Sequence, residues 1–271
     1  MNDIENLVYK RFLERLHFSD LEDILKDKDW KDIRDFVLNI KDENIRERLI
    51  GEAIDYYASI FACKPEEVLF GNYTEVIVKE PYKIFPYACV IGNISISNEC
   101  KDLSKLNVVM GDLYSNGVKD FSNLEYVYGI ARFVNGGERR INIHIPKLKK
   151  CRKLELDNVI VDSLKISDID FININHSKIN ELIYHGIIKE ARISDSLINY
   201  LNIFIIEKLY SKSKEFYEGT KIRYIDPHTN IEEVTAAPTL IHTATDHIKK
   251  IKSEIEEAKA REIKRKSNLE I

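Results

Sequence analysis

The hydrophobic and polar positions change period along the chain. Over residues 1–64 apolar side chains recur at steps of three and four, the spacing of helix faces. Ile4, Leu7, Val8 and Phe12 form one face, Trp30, Ile33, Phe36 and Val37 another, and Ile45, Leu49, Ile54 and Tyr57 a third. Ser19 stands where an N-cap would open a further helix through Leu21, Ile24 and Leu25. Pro65 marks the change of regime. From Val68 the period becomes two: Val76 and Val78 alternate with Glu75, Ile77 and Lys79, and Ile94 and Ile96 alternate with Asn93, Ser95 and Ser97, as strands require.

The middle of the chain repeats itself. Val90-Ile91-Gly92-Asn93-Ile94 returns as Val109-Met110-Gly111-Asp112-Leu113 and as Val127-Tyr128-Gly129-Ile130-Ala131, with the glycines stepping by 19 and 18 residues. Leu103-x-x-Leu106 recurs as Phe121-x-x-Leu124, and Leu148-x-x-Cys151-x-x-Leu154 resumes that spacing after an insertion at 136–140. A period near 20 predicts a stacked solenoid in which each coil covers the apolar face of its neighbour. Past Cys151, the apolar residues Leu154, Leu156, Val159 and Val161 are matched ten residues later by Leu164, Ile166, Ile169 and Phe171. Two sides of one coil, or a true change of pitch, would each produce that spacing.

Beyond Gly186 the repeat fades. Ser194 is placed to cap a helix through Leu197, Leu201, Ile205 and Leu209, and two short alternating segments around Asp226-Pro227-His228-Thr229-Asn230 read as a hairpin. Pro238 suits the first turn of a last helix. There Ile241, Ala244, Ile248, Ile251, Ile255 and Ala258 follow a coiled-coil seam, which a homodimer or a docked partner would use. The expected fold class is α+β: a helical N-terminal cap at 1–64, a central parallel β-solenoid at 65–190, and C-terminal helices with a β-hairpin at 191–271.

Leu103-Ser104-Lys105-Leu106, Phe121-Ser122-Asn123-Leu124, the Val-x-Gly turns after them and Cys151-x-x-Leu154-x-Leu156 resemble the irregular leucine-rich-repeat-like units of bacterial and phage proteins, over roughly residues 86–185. The chain lacks the regular asparagine after the strand, so extended or tight-turn segments are expected on the convex side rather than helices. The resemblance implies macromolecular recognition, here a phage or mobile-element protein that inhibits a host defence nuclease by occupying its surface.

Charge and composition sharpen this. Of the 271 residues 32% are charged, yet the net charge is only −4, which argues against a broadly basic nucleic-acid binder. Cys63, Cys89, Cys100 and Cys151 are far apart with no CxxC spacing, as expected of reduced structural thiols. No apolar run approaches the ~20 residues of a membrane span, and a soluble, cytoplasmic chain without cofactor is expected.

Candidate binding residues come from the repeat. Aligning the glycines puts Ser95, Tyr114 and Arg132 at equivalent positions, a row on the outer face of a parallel sheet if Ile94, Ile96, Leu113 and Phe133 point inward. Arg139 and Arg140 lie in the insertion, where a loop leaving the solenoid would offer two guanidinium groups to a carboxylate or phosphate. The expectation is a non-enzymatic, protein-binding module with no metal site. Two alternatives remain in view. One is a metal-dependent hydrolase using His242, Asp246 and His247, although only the first two share a helix face. The other is nucleic-acid binding through Arg139, Arg140 and the basic tail of Lys259, Arg261, Lys264, Arg265 and Lys266. The acidic pairs Asp168 with Asp170 and Asp157 with Asp162, and the lone His176 and His185, read as surface or hydrogen-bonded groups.

Overall fold

A computed structural model describes residues 3–24, 30–71, 85–96, 100, 103–212, 221–226 and 228–236. The alternating residues 76–79, the His242/Asp246/His247 group, the coiled-coil seam and the basic tail lie outside the described residues. The chain forms two compact units, Met1–Arg132 and Phe133–Ile271. Among the described residues there are about seven turns of parallel β-solenoid, together with a helical block.

The first unit opens with four helices: α1 (Asp3–Arg15), α2 (Phe18–Ile24), α3 (Trp30–Leu38) and α4 (Glu43–Ile60). The carboxylate of Asp42 accepts the Ile45 N–H and caps α4. Helix α2 starts one residue before the expected cap at Ser19; the Asp20 carboxylate instead reaches back to the His17 N–H at 2.9 Å. From α4, Glu52 Oε2 accepts the Phe18 N–H at 2.8 Å, while Arg48 donates to the Leu16 carbonyl at 2.8 Å and the Leu13 carbonyl at 3.2 Å. Two adjacent turns of α4 thus satisfy orphan donors and acceptors at the α1–α2 junction.

Among the described residues the strands that follow are β1 (Val68–Phe70), β2 (Cys89–Ile91), β3 (Ile94–Ile96), β4 (Val108–Val109), β5 (Leu113–Asn116) and β6 (Tyr126–Val134). Val68, Cys89, Val108 and Tyr126 stack in parallel register, as do Leu69, Val90, Val109 and Val127. Strands alternate their side chains between two faces. Here Val68, Phe70, Cys89, Ile91 and Val108 belong to one buried cluster with Leu13, Leu21, Val37, Leu49 and Tyr57 of the helices. The helical block therefore covers the outward side of successive coils, rather than only capping the end of the stack. Along that row cover runs out: Phe70 and Ile91 are buried, while Tyr128 is 39% exposed.

The repeated glycines stand at one corner. Gly71 donates to the Ile91 carbonyl at 2.9 Å, and Gly129 to the Gly111 carbonyl at 3.1 Å. A Cβ on Gly111 would lie 2.5 Å from the Gly92 carbonyl oxygen, and one on Gly129 2.9 Å from that of Gly111, so the backbones are closer than any side chain permits. The Leu103-x-x-Leu106 and Phe121-x-x-Leu124 motifs are turns closed by i+3→i hydrogen bonds, with both apolar ends buried.

In the second unit, β7 (Ile141–Ile143), β9 (Val159–Ile166), β11 (Lys178–Ile188), β13 (Leu197–Lys212) and β14 (Lys221–Ile225) form one side. The other side is made by β8 (Lys150–Asp157), β10 (Phe171–Asn175), β12 (Glu190–Ser194), the far end of β13, and β15 (Asn230–Ala236). Ile143, Val161, Ile179 and Ile198 stack in register on the first side, and Leu154, Ile172, Ala191 and Leu209 on the second. The ten-residue spacing is therefore the two sides of one coil. Phe171, expected inward, lies on the outer surface, and Ile172 takes the buried position.

Two expectations for the C-terminal region are corrected. The helix from Ser194 through Leu209 is the strand β13, because Ile198, Leu201, Ile203, Ile206 and Leu209 each fill a coil position one register step from their predecessors. The hairpin is not formed: β14 and β15 each pair in parallel with β13, as the two sides of a further coil. Short apolar runs carry helix and strand signals together, and the stack already built decides between them.

Candidate functional site

The row inferred from the repeat exists. Ser95 and Tyr114 are register partners in β3 and β5, and β5 pairs with β6, which carries Arg132. The Arg132 guanidinium carbon lies 5.4 Å from the centroid of the Tyr114 ring, within the ~6 Å range of cation–π attraction. Tyr114 is 38% exposed and Arg132 is exposed, whereas Ile94, Ile96, Leu113 and Phe133 are buried as expected. Pleating sends alternate side chains outward from a packed interior, and parallel stacking aligns those from successive coils.

A polar ladder runs beside this row. Asn93 Oδ1 accepts the Asp112 N–H at 2.9 Å, and Asp112 Oδ1 accepts the Ile130 N–H at 2.8 Å. Each side chain meets a backbone donor one coil further on, fixing the corner just before the outward row.

Arg139 and Arg140 belong to the second unit, and the insertion that carries them folds onto the coil corner. Asn158 Nδ2 donates to the Asn135 carbonyl at 3.0 Å and to the Gly137 carbonyl, and Asn135 Nδ2 donates to the Arg139 carbonyl at 2.6 Å. Arg140 Nε donates to the His176 carbonyl, while Arg139 is exposed. One of the two guanidinium groups is thus committed to its own corner.

That corner repeats. Asn158, His176 and Asp195 all adopt positive φ, at 56°, 45° and 48°, a conformation to which Asn, Asp and His are best suited among residues with a side chain. Asn158 N–H donates to the Asn175 carbonyl and His176 N–H to the Ser194 carbonyl, so the three stack. His176 lies between two acids, with Nδ1 3.3 Å from Asp157 and Nε2 3.6 Å from the buried Asp195. Behind it, Ser177 Oγ accepts the Val159 N–H and donates to the Asn175 carbonyl, and Ser196 Oγ accepts the Ser177 N–H and donates to the Ser194 carbonyl. Both hydroxyl protons are engaged by backbone, so neither serine is poised as a nucleophile beside His176. The sequence carries this joint as Asp157-Asn158-Val159, Asn175-His176-Ser177 and Ser194-Asp195-Ser196, at the coil period.

The acidic pairs do not converge. Asp168 faces Lys150 at 2.6 Å and Asp170 faces Lys189 at 3.0 Å, while Asp162 accepts the Asn180 amide at 2.7 Å. Among the described residues, no group of three or more His, Cys, Asp or Glu side chains is arranged to hold a metal ion, and no helix is long and apolar enough to cross a membrane. Cys89, Cys100 and Cys151 are buried and Cys63 is half-buried; all four are free thiols. Burial, with a smaller push from Asp168, drives the Cys151 thiol up to about 12, and burial raises Cys89 further.

No protein-family model, no curated protein and no solved structure matches this chain.

Proposed function

We propose that the protein is a non-catalytic recognition module that binds another protein through the outward side of the β3–β5–β6 sheet, with Tyr114 and Arg132 as the anchoring pair. The observation that carries this reading is the Arg132 guanidinium stacked 5.4 Å from the ring centroid of an exposed Tyr114 on a sheet whose inner side is fully packed. Tyrosine and arginine dominate the energetics of protein interfaces. Stacking restrains both side chains before the partner arrives, so less rotamer entropy is lost on docking.

The test is quantitative affinity purification from the native cell with the wild-type chain and a Tyr114→Ala/Arg132→Ala double variant, both matched for circular dichroism and melting temperature. Recovery of a stoichiometric protein by the wild type that drops at least tenfold with the variant supports the reading. Equal recovery of every protein by both chains overturns it.

A further inference from the structure

A depression of about 430 Å³ opens on the outer surface of the second unit, within the ~300–1,000 Å³ range of small-molecule sites. Its floor is the side of β8, β10 and β12, with Ile172 buried beneath it. The residues that face it are Arg152, Lys153, Phe171, Asn173, Glu190 and Arg192, three cations to one acid. None of them belongs to the Tyr114–Arg132 row, so a ligand bound in this depression is independent of the protein-recognition reading.

The cations are not equivalent. Lys153 Nζ is 2.6 Å from Glu155, and Arg192 Nε is bonded to Glu190 while its guanidinium carbon lies 5.4 Å from the Tyr210 ring centroid. Lys189 outside the rim is paired with Asp170 at 3.0 Å and lies 5.9 Å from the centre of the Phe171 ring. The Lys189–Asp170, Lys189–Phe171 and Arg192–Tyr210 contacts arise from stacking, which places side chains of successive coils above one another, whereas Lys153–Glu155 and Arg192–Glu190 join same-side neighbours two residues apart on one strand. Arg152 breaks the pattern: it is exposed, and among the described residues its guanidinium has no carboxylate partner. The lining therefore holds a bidentate donor with no carboxylate partner among the described residues, together with an aromatic ring, the Asn173 amide and the Glu190 carboxylate.

We infer that this depression binds a nucleoside monophosphate, with the phosphate on Arg152 and Lys153, the base against Phe171, and the base edge hydrogen-bonded by Asn173 and Glu190. An arginine fork matches phosphate geometry, and an aromatic ring on a sheet surface stacks a base of any identity. Glu190 decides between this ligand and an acidic peptide. The second oxygen of the Glu190 carboxylate, whose first is held by Arg192, accepts from the exocyclic amine of a base, a donor that aspartate and glutamate side chains lack. A free nucleotide and a nucleotide within a single strand share this chemistry.

The test is isothermal titration of the full chain with adenosine monophosphate, with adenosine and inorganic phosphate separately, with a six-residue oligodeoxyadenylate, and with a hexaglutamate peptide as competitor. The expected result is one site per chain for the monophosphate, at least tenfold weaker binding of each fragment, and at least tenfold loss in Arg152→Ala and in Phe171→Leu. Binding by the hexamer that exceeds the monophosphate and falls with salt assigns the strand as the source; equal or weaker binding assigns the free nucleotide. Lys165→Ala, outside the depression, is expected to bind as wild type. Absence of binding at millimolar nucleotide, unchanged affinity in both site variants of demonstrated native circular dichroism, or displacement by hexaglutamate at equal concentration overturns the inference.

Discussion

Asn93 and Asp112 are one coil apart, and the Asn93 side-chain oxygen accepts the Asp112 backbone N–H at 2.9 Å. The same geometry brings the Gly111 Cα against the Gly92 carbonyl, leaving no room for a methyl group. Gly111→Ala is therefore expected to destabilise the first unit by about 1–3 kcal/mol, the usual cost of overpacking. Gly51 in α4 has nothing within 4 Å of where its Cβ would be, and Gly51→Ala is expected to stabilise by about 0.5–1 kcal/mol through helix propensity. Denaturant melts of the two variants should shift in opposite directions.

Ser177→Ala removes the acceptor of the buried Val159 N–H. An unsatisfied buried donor costs about 1–3 kcal/mol. Ser163→Ala, which loses a hydroxyl bonded only to the Glu181 carboxylate in the described contacts, is expected to cost less than half as much. Equal midpoints for the two variants in urea would contradict the corner ladder as a stabilising element.

Burial pushes the Glu52 carboxyl upward, but the Phe18 N–H, Arg48 and His17 together outweigh it and hold the group below its ordinary 4.5. A depressed folded value means the ionised form is preferred in the native state. The resulting stability is present above pH 4.5 and is lost as the pH falls through the lower folded value. Glu52→Gln should accordingly lower the melting temperature at pH 7 and flatten its decline as the pH falls below 4.5. A wild-type-like acid transition in that variant would contradict this role.

Cys89 and Cys151 combine burial with raised thiol pKa values. Thiolate is the reactive form, so neither is expected to be alkylated at about pH 8 before unfolding. Mass spectrometry after a short iodoacetamide pulse should find modification at Cys63 in preference to both. Labelling of Cys151 at the rate of Cys63 would count against its place in the coil interior.

The solenoid was legible where the repeat was most regular. The Gly92, Gly111 and Gly129 series foretold the corner because a backbone contact tolerates only one residue type, and Gly71 extends it one coil earlier. The alignment also delivered Ser95, Tyr114 and Arg132, since a fixed period converts sequence offset into spatial neighbourhood. It failed at β13, where Leu197, Leu201, Ile205 and Leu209 satisfy a helix template as well as a strand with a change of face. The Arg152–Phe171–Arg192 depression was not legible at all, because its walls come from three coils and no motif links them.

The sequence by itself determined that there would be coils, their period near 18–19 residues, and which residues close each turn. Those properties are local: a glycine contact, an apolar pair three apart and an alternating strand are each set by neighbours along the chain. The tertiary structure alone decided that the helices cover the flank of the early coils, that the last described segments join the stack as strands, and that Arg140 turns back onto the His176 corner while Arg152 lines the depression on β8, β10 and β12. Those outcomes depend on which buried surface or unpaired backbone edge is available when a segment arrives. That is a property of the assembled stack, which no single stretch of chain encodes.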